Sequence, residues 1–156
     1  MNGELALRNR QRVRPVDLRL LRRVINGLLF NLGVKDFDLT IQLINKHEMT
    51  RLNETRLRHA GSTDVITFDY GETDGLLAGE IFVCVDEALI QAARFRVIWQ
   101  EELIRYIVHG VLHLRGHDDL RPKARRLMKR EEGRRLKRLA REFPLSKLAR
   151  KPKVAA

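Results

Sequence analysis

Near its start, the chain has a helical pattern of hydrophobic residues. Apolar side chains recur every three or four positions at Leu21, Val24, Ile25, Leu28 and Leu32. Pro15 and Asp17 precede this stretch and Gly33 follows it, which is typical of the two ends of a helix. We therefore predict an amphipathic helix between Asp17 and Gly33.

Three further stretches have the pattern of β-strands. Apolar and polar residues alternate from Phe37 to Leu43, as in a strand with one buried face. β-Branched runs at 63–68 (TDVITF) and 79–85 (GEIFVCV) lie on either side of the turn-rich segment YGETDG. They predict two more strands joined by a loop.

Capping residues mark the start of two helices that follow predicted strands. Asn45, with Glu48 three residues later, resembles a capping box and predicts a short helix around Met49 and Leu52. Asp86 stands where it can cap the helix after the third strand. Strand therefore gives way to helix twice in this part of the chain.

The two longest helical patterns differ in polarity. Residues 99–115 repeat apolar side chains on one helical face and end at Gly116, which predicts a buried central helix. Residues 122–142 carry a few apolar residues among many Lys and Arg. This second pattern predicts a strongly basic last helix that is interrupted at Gly133.

Together these elements predict an α/β (α+β) fold in a single domain. We expect a central mixed sheet of about four strands, with helices packed around the buried helix. The domain should span residues 1–142. Residues 143–156 have little to bury, so they should form a basic, flexible C-terminal tail.

The net charge of +11 is distributed unevenly along the chain. Residues 1–23 carry about +5, residues 24–120 about −6 and residues 121–156 about +12. Clustered Lys and Arg gain free energy when they release counterions from a phosphate backbone, so the basic ends indicate a polyanionic partner. Alternatively, these charges only keep a helix and a tail solvated.

Cysteine content and hydropathy limit the class of protein. Cys84 is the only cysteine, which excludes an internal disulfide, a cysteine-rich zinc module and a pair of redox thiols. The N-terminal residues lack the apolar region of a signal peptide, and no nearby apolar stretch is long enough to span a bilayer. We therefore expect a cytoplasmic protein without a membrane partner.

The segment HGVLHLRGHDD (109–119) contains three of the five histidines and two aspartates. His109 and His113 are one helical turn apart, so both imidazoles can reach one metal ion at about 2.0–2.1 Å. Gly116 ends the helix and lets Asp119 return to the same ion as a third ligand. Three protein ligands leave one position for water, as in a catalytic zinc site. Alternatively, one histidine is a hydrogen-bonded core residue and the other lies near the surface.

The same segment also carries a resemblance to a known family. HGVLHLRGHDD is similar to the HGxLHLxGYDH signature of the YbeY family, bacterial metal-dependent endoribonucleases of ribosomal RNA maturation. LNETRLRHAGSTDVITF (52–68) looks like that family's stretch around T-D-V-L-S-F, and AGEIFV (78–83) looks like its L-G-D-I strand. Order and spacing agree over about residues 40–130.

The resemblance implies a function as well as a fold. It implies a metal-dependent endoribonuclease that acts in ribosomal RNA maturation and ribosome quality control and uses a metal-activated water. The buried helix would then be the metal-bearing one. The implied partners are RNA, mainly ribosomal RNA, and ribosomal subunits, and no DNA is expected.

Three positions depart from the family's pattern. The family's third histidine ligand falls on Asp119 and its tyrosine falls on His117, so His117 is an alternative third ligand. We expect one zinc ion per chain, and a carboxylate ligand makes manganese or iron acceptable as well. The family's arginine falls on Leu57, between Arg56 and Arg58. We predict that Arg56 or Arg58 is catalytic and holds phosphate oxygens, unless both form an exposed helix end.

Three other functions share parts of this pattern. A zinc peptidase usually has the Glu of HExxH as its general base, but Gly110 stands there. Gly110 either leaves space above the metal or allows close helix packing. An iron oxygenase with two histidines and one carboxylate shares the ligand set without further support. An RNA-binding ribosome-assembly factor with a structural metal would have the same basic ends.

Overall fold

Strands and helices alternate through the first half of the chain, and helices form the second half. The computed structural model describes residues 3–71 and 75–149. The strands are β1 (Gly3–Asn9), β2 (Asp36–Ile44), β3 (Val65–Asp69) and β4 (Leu76–Cys84). The helices are α1 (Leu18–Asn31), α2 (Lys46–Arg56), α3 (Val85–Phe95), α4 (Trp99–Leu114) and α5 (Pro122–Glu142), followed by a 3-10 helix (Leu145–Ala149).

The four described strands form a mixed sheet in the order β1-β2-β4-β3. β2 pairs in parallel with both β1 and β4, whereas β3 pairs antiparallel with β4. The predicted α/β fold with a mixed sheet of about four strands is therefore confirmed. Of the loop predicted between β3 and β4, residues 72–74 lie outside the described part of the chain.

β1 is the strand that the sequence pattern does not predict. Leu5 and Leu7 pack against the core, while Glu4, Ala6 and Arg8 are exposed. β1 lies at the edge of the sheet and pairs only with β2. Its alternation of apolar and polar residues is short, and several arginines follow it. An edge strand of this kind has only one buried face to mark it in the sequence.

The two faces of the sheet are covered unequally. On one face, Leu39, Ile41 and Val83 belong to the main core, which also contains apolar side chains of α1, α3, α4 and α5. A smaller cluster is formed by Ile44, Met49, Ile66, Phe82 and Cys84, with Leu52 of α2 packed against it. α4 is buried over most of its length between the sheet, α3 and α5, so the predicted buried central helix is confirmed.

Helix caps agree with the sequence in two cases and differ in one. The side chain of Asp17 accepts a hydrogen bond from the amide of Leu20 at the start of α1, and Asn45 accepts one from Glu48 at the start of α2. The prediction that Asp86 caps α3 is wrong. Asp86 lies in the first turn of α3, and its carboxylate accepts a hydrogen bond from the Lys46 amide at 2.6 Å, which joins α3 to α2.

The predicted interruption of the last helix at Gly133 is also wrong, because α5 runs continuously from Pro122 to Glu142. Its buried residues keep helical spacing on both sides of Gly133, and tertiary packing of that face stabilises the helix.

Within the described residues, no helix is both long and apolar enough to cross a membrane.

The boundary predicted after residue 142 needs a correction. Leu145 and Leu148 are buried in the same core as the helices, so residues 143–149 do not form a flexible tail. The amide of Asp17 donates a hydrogen bond of 2.8 Å to the carbonyl of Leu148, which ties the start of α1 to the 3-10 helix. The rest of the predicted tail, residues 150–156, lies outside the described residues.

Candidate active site

A cavity of about 280 Å³ lies beside the C-terminal half of α4. It brings together the three residues that were predicted as metal ligands, His109, His113 and Asp119. The other lining residues come from α2, from the loop after it and from β3: Asn53, Leu57, His59, Thr63, Val65, Ile66 and Thr67. The cavity is therefore built between the central helix and the β3 edge of the sheet.

The imidazole of His109 is held on both sides. Its Nδ1 lies 2.9 Å from Oε2 of Glu132, and its Nε2 lies 3.7 Å from Oδ2 of Asp119. Because an ionised carboxylate is only an acceptor, Nδ1 donates this hydrogen bond to Glu132. In the neutral form of the ring the lone pair then lies on Nε2, on the side of Asp119, where a metal ion would need it.

The charges around His109 affect its protonation. The hydrogen bond to Glu132 raises the pKa of His109 above its usual value, although burial of the ring acts in the opposite direction. The negative charges of Glu132 and Asp119 raise this pKa further. Both carboxylates would favour a cation at this position, whether it is a proton or a metal ion.

Glu132 is one site residue that sequence reasoning missed. Its side chain is only 11% exposed, and Nη1 of Arg105 lies 3.7 Å from its Oε1. Arg105 is also hydrogen-bonded to Glu102, at 3.0 Å. A buried carboxylate needs such partners. The signal in the sequence is that Glu132 stands between Met128 and Leu136, on the apolar face of a helix that is otherwise basic.

Gly110 lies beneath the site and faces the sheet. A Cβ atom at this position would come within 2.8 Å of Cδ1 of Ile81, a core residue of β4. Of the two explanations weighed for this glycine, the structure therefore favours close packing over open space above a metal. The close approach of α4 to β4 helps to fix the position of His109 and His113.

A tight turn after α4 brings Asp119 back towards the helix. Gly116 has φ of +98°, in the left-handed region. The amide of Gly116 donates to the carbonyl of His113, and the amide of His117 donates to that of Leu112, which is the hydrogen-bond pattern of a Schellman motif. The Arg125 side chain then donates to the carbonyl of Asp119 at 3.0 Å.

His117, the alternative ligand, is not among the residues that line the cavity. It lines a neighbouring depression with Thr67, Asp69, Leu114, Gly116 and Asp118. His113 lines both depressions. Asp119 and His117 therefore line different depressions, although His113 lines both.

The donor set of the cavity fits a metal ion in part. Two imidazoles and one carboxylate suit zinc, manganese or iron. Nε2 of His109 and Oδ2 of Asp119 lie 3.7 Å apart, within the span of about 4 Å that two ligands at 2.0–2.1 Å from one ion can reach. In the present arrangement, however, no three His, Cys, Asp or Glu side chains of residues 3–71 and 75–149 converge closely enough to hold an ion.

The two predicted catalytic arginines lie beside the cavity lining and not within it. Leu57 lines the cavity, whereas its neighbours Arg56 and Arg58 do not. The guanidinium of Arg56 lies over the ring of Phe68, 5.9 Å from its centroid. Arg58 has φ of +58°, so the chain turns sharply directly after α2.

Four polar residues of the lining were not predicted as site residues: Asn53, His59, Thr63 and Thr67. Asn53 is buried in α2, and its side-chain amide donates to the carbonyl of Gly61 at 3.0 Å. The amide of His59 donates to the carbonyl of Asn53 at 3.1 Å. Asn53 thus fixes the loop that brings Leu57 and His59 to the cavity. For His59, the only sequence signal is its place within the 52–68 stretch.

Comparison with known proteins adds to this geometry. The family model described as Endoribonuclease YbeY matches residues 7–140. The endoribonuclease YbeY of Chlorobium luteolum is 33% identical over 138 residues, which cover 88% of this chain and 99% of the relative. That of Bacteroides thetaiotaomicron is 37% identical over 112 residues, covering 72% of this chain and 81% of the relative.

A solved structure has the same fold. The solution structure of a protein from Thermotoga maritima is similar with a TM-score of 0.70, over 98% of this chain and 100% of that chain. The two sequences are 22% identical, so this likeness concerns the fold alone. On the strength of the family match and of relatives that align over most of its length, the chain belongs to the endoribonuclease YbeY family.

Proposed function

We propose that this protein is a metal-dependent endoribonuclease that acts in ribosomal RNA maturation and ribosome quality control in the cytoplasm. Family membership supports the activity and the RNA substrate. One structural observation carries the proposal. His109, held by Glu132 at 2.9 Å, turns its other ring nitrogen towards Asp119 in a cavity that His113 also lines.

In this proposal, His109, His113 and Asp119 hold one zinc ion, with manganese or iron as alternatives. His117 remains the alternative third ligand. When bound, such an ion supplies Lewis acidity for the scissile phosphodiester and an activated water as the nucleophile. The carboxylate of Asp119 makes the site harder than a site of three histidines, which favours manganese or iron more than such a site would.

The other residues of the site have orienting roles in this proposal. Glu132 fixes the ring of His109 and keeps the proton on Nδ1, so Nε2 stays available as a ligand. Arg105 compensates the buried charge of Glu132. Arg56 or Arg58, next to the lining residue Leu57, is the candidate for contact with the phosphate oxygens.

Metal analysis and RNA cleavage test the proposal together. We expect the purified protein to contain one transition-metal ion per chain and to cleave a structured RNA, and a chelator should abolish cleavage. His113→Ala should lose both the metal and the activity because it removes one of three ligands. The matched control is His47→Ala, because His47 is an exposed histidine at the start of α2. Full cleavage by metal-free protein would contradict the proposal.

A second candidate function is an RNA-binding ribosome-assembly factor whose metal is structural. The concentration of Lys and Arg on α5 favours it as much as it favours an enzyme. The two functions differ in turnover. An assembly factor would retain its metal, bind RNA and leave the RNA intact, whereas the endoribonuclease would accumulate cleavage products under the same conditions.

A further inference from the structure

The exposed side of α5 carries a row of basic residues. Met128, Glu132, Leu136 and Leu139 form the buried side of this helix. On the opposite side, six exposed cations fall within an arc of about 80° at 3.6 residues per turn. We call them the basic face of α5: Lys123, Arg126, Arg130, Arg134, Lys137 and Arg141.

The basic face has almost no internal compensation. Arg134 pairs with Glu131 at 3.4 Å, but its side chain is 71% exposed, so this pair contributes little. The other five side chains form no ion pair with the part of the chain that the structure describes. Like charges three and four residues apart on a helix repel each other. An external polyanion would relieve this repulsion.

The shape of the basic face indicates what kind of polyanion fits. From Lys123 to Arg141 the row is about 27 Å long at 1.5 Å per residue, which suits an extended backbone better than a small anion. Proteins that bind single strands usually add aromatic side chains on which bases stack. α5 contains no aromatic residue. A row of cations without such rings suits RNA whose bases are already paired.

The basic face is also close to the candidate active site. On the buried side of α5, Glu132 is bonded to His109, and near its start Arg125 is bonded to Asp119. One helix therefore supports the cavity with one side and presents cations to solvent with the other. RNA bound along the exposed side would come nearest to the cavity at the Lys123 end, because the lining residue Asp119 lies only four positions before Lys123.

We propose that the basic face of α5 binds the phosphate backbone of a helical RNA segment and so holds the adjoining unpaired strand at the cavity. This inference rests on the proposed function and adds a structural class of substrate, RNA with a helix beside the cleavage site. The protein would hold this RNA helix through its phosphate backbone, independently of its base sequence.

Salt-dependent binding of an RNA hairpin, kept intact by the chelator that should abolish cleavage, tests the proposal. The variant replaces Arg126, Arg130, Arg134 and Lys137 by Gln, which keeps helix propensity. Its slope of log affinity against log salt should fall by about 3 if all four residues contact phosphates, and Kd at low salt should rise at least about 100-fold. The matched control replaces four exposed arginines of the N-terminal part by Gln: Arg8, Arg12, Arg14 and Arg19.

Three outcomes would overturn the proposal. The first is an unchanged slope in the α5 variant with a native circular dichroism spectrum. The second is a loss of slope in the N-terminal control alone, which would assign phosphate binding to those arginines. The third is an equal loss for oligouridine, which would show that the face does not select helical RNA. The α5 variant should cleave a short unpaired RNA at saturating concentration as fast as the parent protein does. If the parent protein does not cleave this RNA, the proposed function is refuted, but the result of the hairpin binding experiment still stands.

Discussion

Nδ1 of His109 on α4 lies 2.9 Å from Oε2 of Glu132 on α5, although 23 residues separate them in the sequence. The bond joins the buried central helix to the most basic helix of the chain. A carboxylate in this position fixes both the orientation and the tautomer of a histidine ligand. The metal affinity of the proposed site should therefore depend on a residue that is not itself a proposed ligand.

Replacing Glu132 by Ala should weaken metal binding about 10- to 100-fold, because His109 loses the partner that orients it. Glu132→Gln should lose less, since its amide oxygen can still accept the proton of Nδ1. Competition with a chelator of known affinity measures both. The matched control is Glu131→Ala, because Glu131 pairs with Arg134 and Arg135 and not with His109. Equal affinity in Glu132→Ala and the parent would show that Glu132 has no orienting role.

Two single substitutions test which residue is the third ligand of the proposed metal site. We expect Asp119→Ala to lower metal affinity 10-fold or more and His117→Ala to change it little, because only Asp119 lies 3.7 Å from Nε2 of His109. Metal titration of both variants measures the difference. The opposite order of effects would assign the ligand to His117 instead.

Gly110→Ala should lower the free energy of unfolding by about 1–3 kcal/mol, because its Cβ would meet Ile81 at 2.8 Å. Gly133→Ala is the matched control. Gly133 also lies within a helix but has nothing within 4 Å of an added Cβ, so this change should stabilise the protein by about 0.5–1 kcal/mol. Chemical denaturation measures both. If Gly110→Ala lowers the free energy of unfolding as much in an Ile81→Ala background as in the parent, the contact with Ile81 is not the cause of the loss.

Leu148→Ala should lower the free energy of unfolding by about 2–5 kcal/mol, as expected for a fully buried leucine. Leu120→Ala should have little effect, because Leu120 is 83% exposed. Removal of residues 150–156, by contrast, leaves both buried leucines of the 3-10 helix in place and should preserve the stability of the domain. Urea denaturation of the three variants tests this boundary, and an unchanged midpoint in Leu148→Ala would contradict it.

The elements that could be predicted from sequence are those with a strong hydrophobic period. Leu39, Ile41 and Leu43 alternate as one face of β2 requires, and the caps at Asp17 and Asn45 have local hydrogen bonds. β1 was not predicted because two alternating leucines alone do not indicate a strand, and its position is fixed by pairing with β2. Gly133 misled the prediction because tertiary packing outweighs the low helix propensity of one glycine.

The candidate site divides in the same way. His109, His113 and Asp119 lie within eleven residues, so helical spacing and one glycine turn were enough to bring them to the same cavity. Asn53 lines that cavity from α2, and Glu132 of α5 bonds to His109 without lining it. The place of Glu132 on the apolar face of α5 indicates burial, but nothing local in the sequence identifies its partner. The sequence also could not show which residue after α2 lines the cavity. Leu57 does so, whereas the adjacent Arg56 and Arg58 do not.

The hydrogen bond from the amide of Asp17 to the carbonyl of Leu148 has a consequence for biosynthesis. A ribosome releases the N-terminal part of a chain first. α1 therefore emerges long before the segment that completes its packing, and its apolar side stays incompletely covered during that interval. Since Leu148 belongs to the same core as the apolar side of α1, a stalled nascent chain that lacks Leu148 would leave part of that hydrophobic surface exposed.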